Sequence, residues 1–189
     1  MQMFEYVMVL ASIIIGLAIT HLLQGIARLV QHPKRAPLYW VHLCWVLYMF
    51  LTAVFWWWWE FRFHSVEVWT LQLYLFVLGY AFLIYLVCAL LFPADLEGYE
   101  DYRSYFYSRR AWFFGLQAAG LAVDLGDTLA KGTAYFASFG LQYPIATISQ
   151  IALCIVAAIT RNQRFHSGFV VIMLLYQAYW ALRWFDTVS

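Results

Sequence analysis

Long apolar runs separated by short polar connections leave this chain few ways to fold. About 20 predominantly apolar residues make a helix that crosses the hydrocarbon core of a bilayer. Six stretches meet that requirement: Phe4–Val30, Leu38–Trp59, Val68–Phe92, Ala111–Ala130, Ala134–Thr160 and Phe169–Phe185. Backbone groups in lipid must be satisfied within the segment, which dictates helices. The connections are too short to fold alone. Residues 1–189 therefore read as one transmembrane domain, an all-α polytopic bundle of six transmembrane helices. Composition agrees: 11% of residues are charged, against about 25% in a soluble domain.

This composition excludes several function classes. A formal charge of +1 supplies no basic stripe for nucleic acid. Cys44, Cys88 and Cys154 stand singly in three spans, so neither a disulfide framework nor a metal site is expected. The first apolar stretch is too long for a signal-peptide core and lacks a small-residue cleavage site, and it is read as a retained helix. Motifs such as HExxH and GxSxG are missing from the sequence, and no enzymatic activity is expected. The two lysines, Lys34 and Lys131, lie too shallow for a retinal Schiff base.

Lys and Arg counted over short loops set the expected orientation. Arg28, Lys34, Arg35, Arg103, Arg109, Arg110, Arg161 and Arg164 fall on one side, and Arg62, Lys131 and Arg183 on the other. Both termini are then non-cytoplasmic, in a bacterial inner membrane. The run Trp56–Trp59, with Trp69, Trp180 and Trp184, marks the outer interface. Consecutive helical positions point about 100° apart, so the four tryptophans of the run cannot share a face. Glu5, Glu60 and Glu67 read as outer-surface charges, Arg183 and Asp186 as an interfacial pair, and His32, His64 and His166 as solvated. Residues 94–110 are expected to form an amphipathic helix on the inner leaflet, with acids Asp95, Glu97, Glu100 and Asp101 preceding Arg103, Arg109 and Arg110.

Polar groups inside the spans carry the functional reading, because ionisable side chains in a membrane face a bundle interior or wet cavity. Ser12, Gly16, Thr20, Gln24 and Arg28 recur every four residues in the first span, with His21 beside Thr20. Gln117, Gly120, Asp124, Asp127 and Lys131 form a second stripe in the fourth. Gly16–Ile19 resembles Gly120–Val123, a relation that a three-plus-three inverted repeat would produce. The expectation is a small channel or transporter for protons or a small cation. Its path would run through His21, Asp124, Asp127, Gln24, Gln117 and Thr20, and a homo-oligomer would supply room for a pore. Two alternatives remain: a non-catalytic assembly or sensory subunit binding another membrane protein, and a haem bundle ligated by His21 and His42.

Overall fold

A computed structural model describes residues 3–32, 37–66, 68–96 and 98–184. The expectations for Lys34, Arg35, Glu67, Glu97 and Asp186 lie outside the described residues. Among the described residues the chain is helical and contains no strand. The α-helices are α1 (Met3–Gln31), α2 (Trp40–Glu60), α3 (Leu71–Ala89), α4 (Tyr102–Ala130), α5 (Thr133–Ser138), α6 (Gln142–Ile159) and α7 (Gln163–Trp184), with a 3-10 helix at Phe61–Ser65 following α2.

Five of these, α1, α2, α3, α6 and α7, are long and apolar enough to cross a membrane. They point to a membrane protein. α4 is as long as α1, at 29 residues, but Arg103, Arg109, Arg110, Asp124 and Asp127 lower its apolar character. It therefore does not join those five on length and composition.

Two boundaries differ from expectation for visible chemical reasons. The stretch 94–110 does not form a helix of its own. Residues 94–96 and 98–101 are a loop, and the rest are the opening turns of α4. The division is made by a capping box, in which Asp101 Oδ1 accepts from the Ser104 amide at 2.7 Å and Ser104 Oγ accepts from the Asp101 amide at 3.3 Å. The stretch 134–160 is likewise broken. α5 ends before Gly140, whose φ of +64° is the left-handed turn conformation that glycine adopts readily. Pro144 then sits in the first turn of α6, where its missing amide hydrogen disrupts no helical bond.

The helices pack as a ring with one outlier. α2, α3, α4, α6 and α7 follow one another around it, each against the next and α7 back against α2. α1 packs against α2 and α3 from outside. Val7, Ala11, Ile15, Ala18 and Leu22 form its buried face, all at or below 1% exposure. Gly16, Thr20 and Gln24 lie on the opposite, exposed face. A polar centre made by α1 and α4 is therefore not what the fold builds: α3 packs against both of them. An inverted repeat would also pair α4 with α7 as α1 pairs with α3, yet α4's main partner is α6.

One end of the ring is filled with aromatic rings. Trp45, fully buried, meets Phe113, Phe114 and Phe169 at centroid distances of 5.3, 5.2 and 5.4 Å, joining α2, α4 and α7 in edge-on contacts. His166 is fully buried at this plug, not solvated. Its ring lies tilted against Phe114 and shares a hydrogen bond between its Nε2 and the Thr160 carbonyl at 3.0 Å. α7 begins at Gln163, earlier than the apolar run suggests, and carries this histidine inside. Arginines gather at the same end. Arg28 donates to the Pro93 and Ala94 carbonyls at 3.3 and 3.1 Å, and Arg110 to the Ile159 carbonyl at 3.4 Å.

Candidate functional site

Beyond the plug, the inward positions of the ring change from hydrocarbon to polar and aromatic. On α2, Trp45 is followed at helical spacing by Tyr48, Thr52, Trp56 and Glu60; on α4, Phe114 is followed by Gln117, Gly120, Asp124, Thr128 and Lys131. The residues that follow Trp45 and Phe114, with Tyr80 of α3, Tyr143 and Gln150 of α6, and Tyr176, Gln177 and Trp180 of α7, wall a cavity of about 150 Å³. Tyr135 and Phe139 close in from α5. The polar stripe of α4 is thus directed at a cavity, the environment in which carboxylates are tolerated within a bundle.

Asp124 is the focal group. Tyr80 donates to its Oδ1 at 3.1 Å and Tyr143 to its Oδ2 at 2.6 Å. Tyr143 has a single proton and commits it to Asp124, so Thr128 donates to the Tyr143 oxygen at 2.9 Å. Two phenols hold this carboxylate in place. Among the described residues no salt bridge reaches it.

A second charged group lies toward the tryptophan end. Lys131 Nζ bridges Glu60 Oε1 at 2.9 Å and Asp127 Oδ2 at 2.5 Å, with all three residues buried. The Phe63 ring of the 3-10 helix covers the ammonium at 5.0 Å from its centroid. Glu60 Oε2 and Asp127 Oδ1 accept no hydrogen bond. Together with Asp124, three carboxylates face one ammonium, so the region is acidic overall. Glu60 was expected at the outer surface as an unremarkable charge. Its burial follows from the matching ends of α2 and α4, which put Glu60 and Lys131 at one level.

Amides extend the polar wall. Gln117 Nε2 donates to the Tyr48 hydroxyl at 3.4 Å, and Gln177 Nε2 to Thr52 Oγ1 at 2.8 Å. Gln177 Oε1, the Tyr176 hydroxyl and Trp56 Nε1 are buried without a partner. Native proteins leave few such groups unsatisfied, and water or a bound species is the usual reason. Trp56 and Trp59 both line the cavity, whereas Trp57 and Trp58 are exposed.

Of the residues expected on a transport path, the structure brings Gln117, Asp124 and Asp127 to this region. It does not bring His21, Thr20 or Gln24. His21 Nε2 lies 3.2 Å from the Phe92 carbonyl and His42 Nε2 lies 2.5 Å from the Leu91 carbonyl. The two imidazoles therefore bond consecutive carbonyls just past α3, and neither offers a free Nε2 to an iron. Among the described residues no group of three His, Cys, Asp or Glu side chains is arranged to hold a metal ion. Tyr143 and Trp180 carried no signal in the sequence beyond their type, since their role depends on which helices adjoin. No family model, curated protein or solved structure matches this chain.

Proposed function

We propose that this chain is a membrane transporter for a small cation or proton, with its site in the cavity around Asp124. The observation that carries this reading is a carboxylate held by two tyrosine hydroxyls at 3.1 and 2.6 Å, on a cavity wall, with no ion pair among the described residues. A carboxylate in such surroundings attracts a cation or takes up a proton. The aromatic plug of Trp45, Phe113, Phe114 and Phe169 favours a carrier, loaded from the tryptophan end, over an open pore. In this proposal α4 is the sixth crossing, tolerated in the bilayer because its polar stripe faces inward. Both termini are then outside a bacterial inner membrane, and the arginine-rich end is cytoplasmic.

The site lies within one chain, so loading it requires no oligomer. If a small cation is the ligand, saturating concentrations raise the melting temperature of the purified protein, because a ligand that binds only the folded state stabilises it. Asp124→Asn should abolish that shift. A shift that survives Asp124→Asn would place the cation elsewhere.

A second reading, a subunit that assembles with another membrane helix, is favoured by α1. Gly16, Thr20 and Gln24 form an exposed face, and the position of a Gly16 side chain is open space. Small and polar residues so arranged suit close helix contact, in a homo-oligomer or with a partner protein. Cysteine cross-linking at Thr20 in native membranes tests it.

A further inference from the structure

We infer that the cation taken by this cavity is a compact organic ammonium rather than an inorganic ion, an inference that rests on the proposed cation site. Three features of the wall select it. First, Asp124 supplies negative charge, but both of its oxygens already accept phenolic hydrogens. A bare alkali or divalent ion needs about six or more oxygen ligands converging at short range. Here two phenols flank Asp124 and, among the described residues, no cluster of three His, Cys, Asp or Glu side chains converges to build such a shell.

Second, the wall around the carboxylate is aromatic. Trp56, Tyr80, Tyr143 and Trp180 all line the cavity, and their rings meet one another edge-on, Trp56 with Tyr80 at 6.1 Å and Tyr143 with Trp180 at 6.1 Å between centroids. Aromatic faces attract ammonium groups through the ring quadrupole and solvate their methyl or methylene hydrogens, the arrangement by which aromatic cages bind quaternary ammonium ligands. A strongly hydrated inorganic ion gains less from such a wall. Third, the volume is about 150 Å³. A cavity of ~150 Å³ accommodates a ligand the size of benzene, which corresponds to tetramethylammonium and excludes tetraethylammonium. The unpartnered Gln177 Oε1, on a side chain 7% exposed in the same wall, offers an acceptor to a primary ammonium as well.

The test is calorimetric titration of the purified chain in lipid nanodiscs with methylammonium, tetramethylammonium, tetraethylammonium, sodium and potassium chlorides. Saturable binding of methylammonium or tetramethylammonium, with tetraethylammonium excluded, is expected. Asp124→Asn should weaken it about tenfold or more through loss of the charge. Gly120→Val places a side chain in the cavity beside Leu83, whose nearest atom would lie 3.9 Å from the new Cβ. It should block binding while the carboxylate stays, which keeps the test decisive where Asp124→Asn fails to fold. Thr20→Val on the outer face of α1 should bind as the wild type does. Binding of sodium or potassium with no ammonium bound would overturn the ligand class while leaving the cation site. Silence towards all five salts would overturn the ammonium assignment, and absence of proton uptake by proteoliposomes of the same protein would overturn the site as well. Ammonium binding that survives Asp124→Asn or Gly120→Val would overturn the assignment to this cavity.

Discussion

Removing Lys131 tests whether the acidic region is a buried ion cluster. The ammonium lies 2.9 Å from one carboxylate and 2.5 Å from the other. At an effective dielectric constant of about 20, each attraction is on the order of 6 kcal/mol before desolvation. Desolvation of three buried ions removes much of that gain, so the intact cluster contributes little beyond its neutral equivalent. Taking away one partner is different. Lys131→Met strands Glu60 and Asp127 side by side, and stranding buried charge typically costs about 3–5 kcal/mol. For a chain of this length that lowers the melting temperature by roughly 6–20 °C. The triple variant Glu60→Gln, Asp127→Asn, Lys131→Met removes every charge at similar volume and should recover most of the loss. Thermal unfolding of the wild type, the single variant and the triple variant in one detergent, followed by tryptophan fluorescence, reads both effects. If Lys131→Met melts with the wild type, or the triple variant melts no higher than the single, the cluster is not a buried charged unit.

Other expectations rest on different parts of the fold. Gly25→Ala would set a Cβ 2.1 Å from the Phe92 ring, itself 2% exposed. It should destabilise by about 1–3 kcal/mol, as a lowered melting temperature. Trp45→Ala empties the centre of the aromatic plug and should lose about 3–5 kcal/mol. If the plug also seals the carrier, proteoliposomes of that variant should leak small cations independently of Asp124. Tyr143→Phe removes one hydrogen bond to the Asp124 carboxylate and leaves Thr128 without its partner. It should lower stability by about 1–3 kcal/mol and change cation affinity, whereas Tyr179→Phe on the exposed side of α7 should leave affinity unchanged. Purified protein titrated with haem should keep the broad Soret band of free haem and gain no sharpened, shifted bis-histidine band, since His21 and His42 spend their Nε2 atoms on backbone carbonyls.

The sequence made the helices legible because apolar length alone dictates them. It also made the stripe of α4 legible, because Gln117, Gly120, Asp124 and Lys131 share a face by helical spacing alone. The stripe of α1 has the same spacing and points the opposite way, out of the bundle. Periodicity identifies a face but not what covers it: Ala11, Ile15 and Ala18 on the reverse side fit α3 more closely than Thr20 and Gln24 could. For the same reason the expected path runs through both His21 and Asp124, while in the fold α3 packs against both of their helices. Position at a helix end implies exposure for Glu60, yet the fold buries it. Its burial arises from Lys131, 71 residues away, with Asp127 one turn before it, and from the 3-10 helix that lays Phe63 over the ammonium. The surface helix was lost to a local signal, the Asp101–Ser104 box, which begins α4 earlier than apolarity does.

The most direct test of the proposed function is uptake of labelled methylammonium and, in parallel, of protons and sodium into sealed proteoliposomes under an inside-negative potential, comparing wild type, Asp124→Asn and Thr20→Val. Uptake of a cation by the wild type and Thr20→Val, lost in an Asp124→Asn protein that still folds, is the expected result. Equal uptake by all three, or uptake no greater than in empty liposomes for every cation, would contradict a transport site at Asp124.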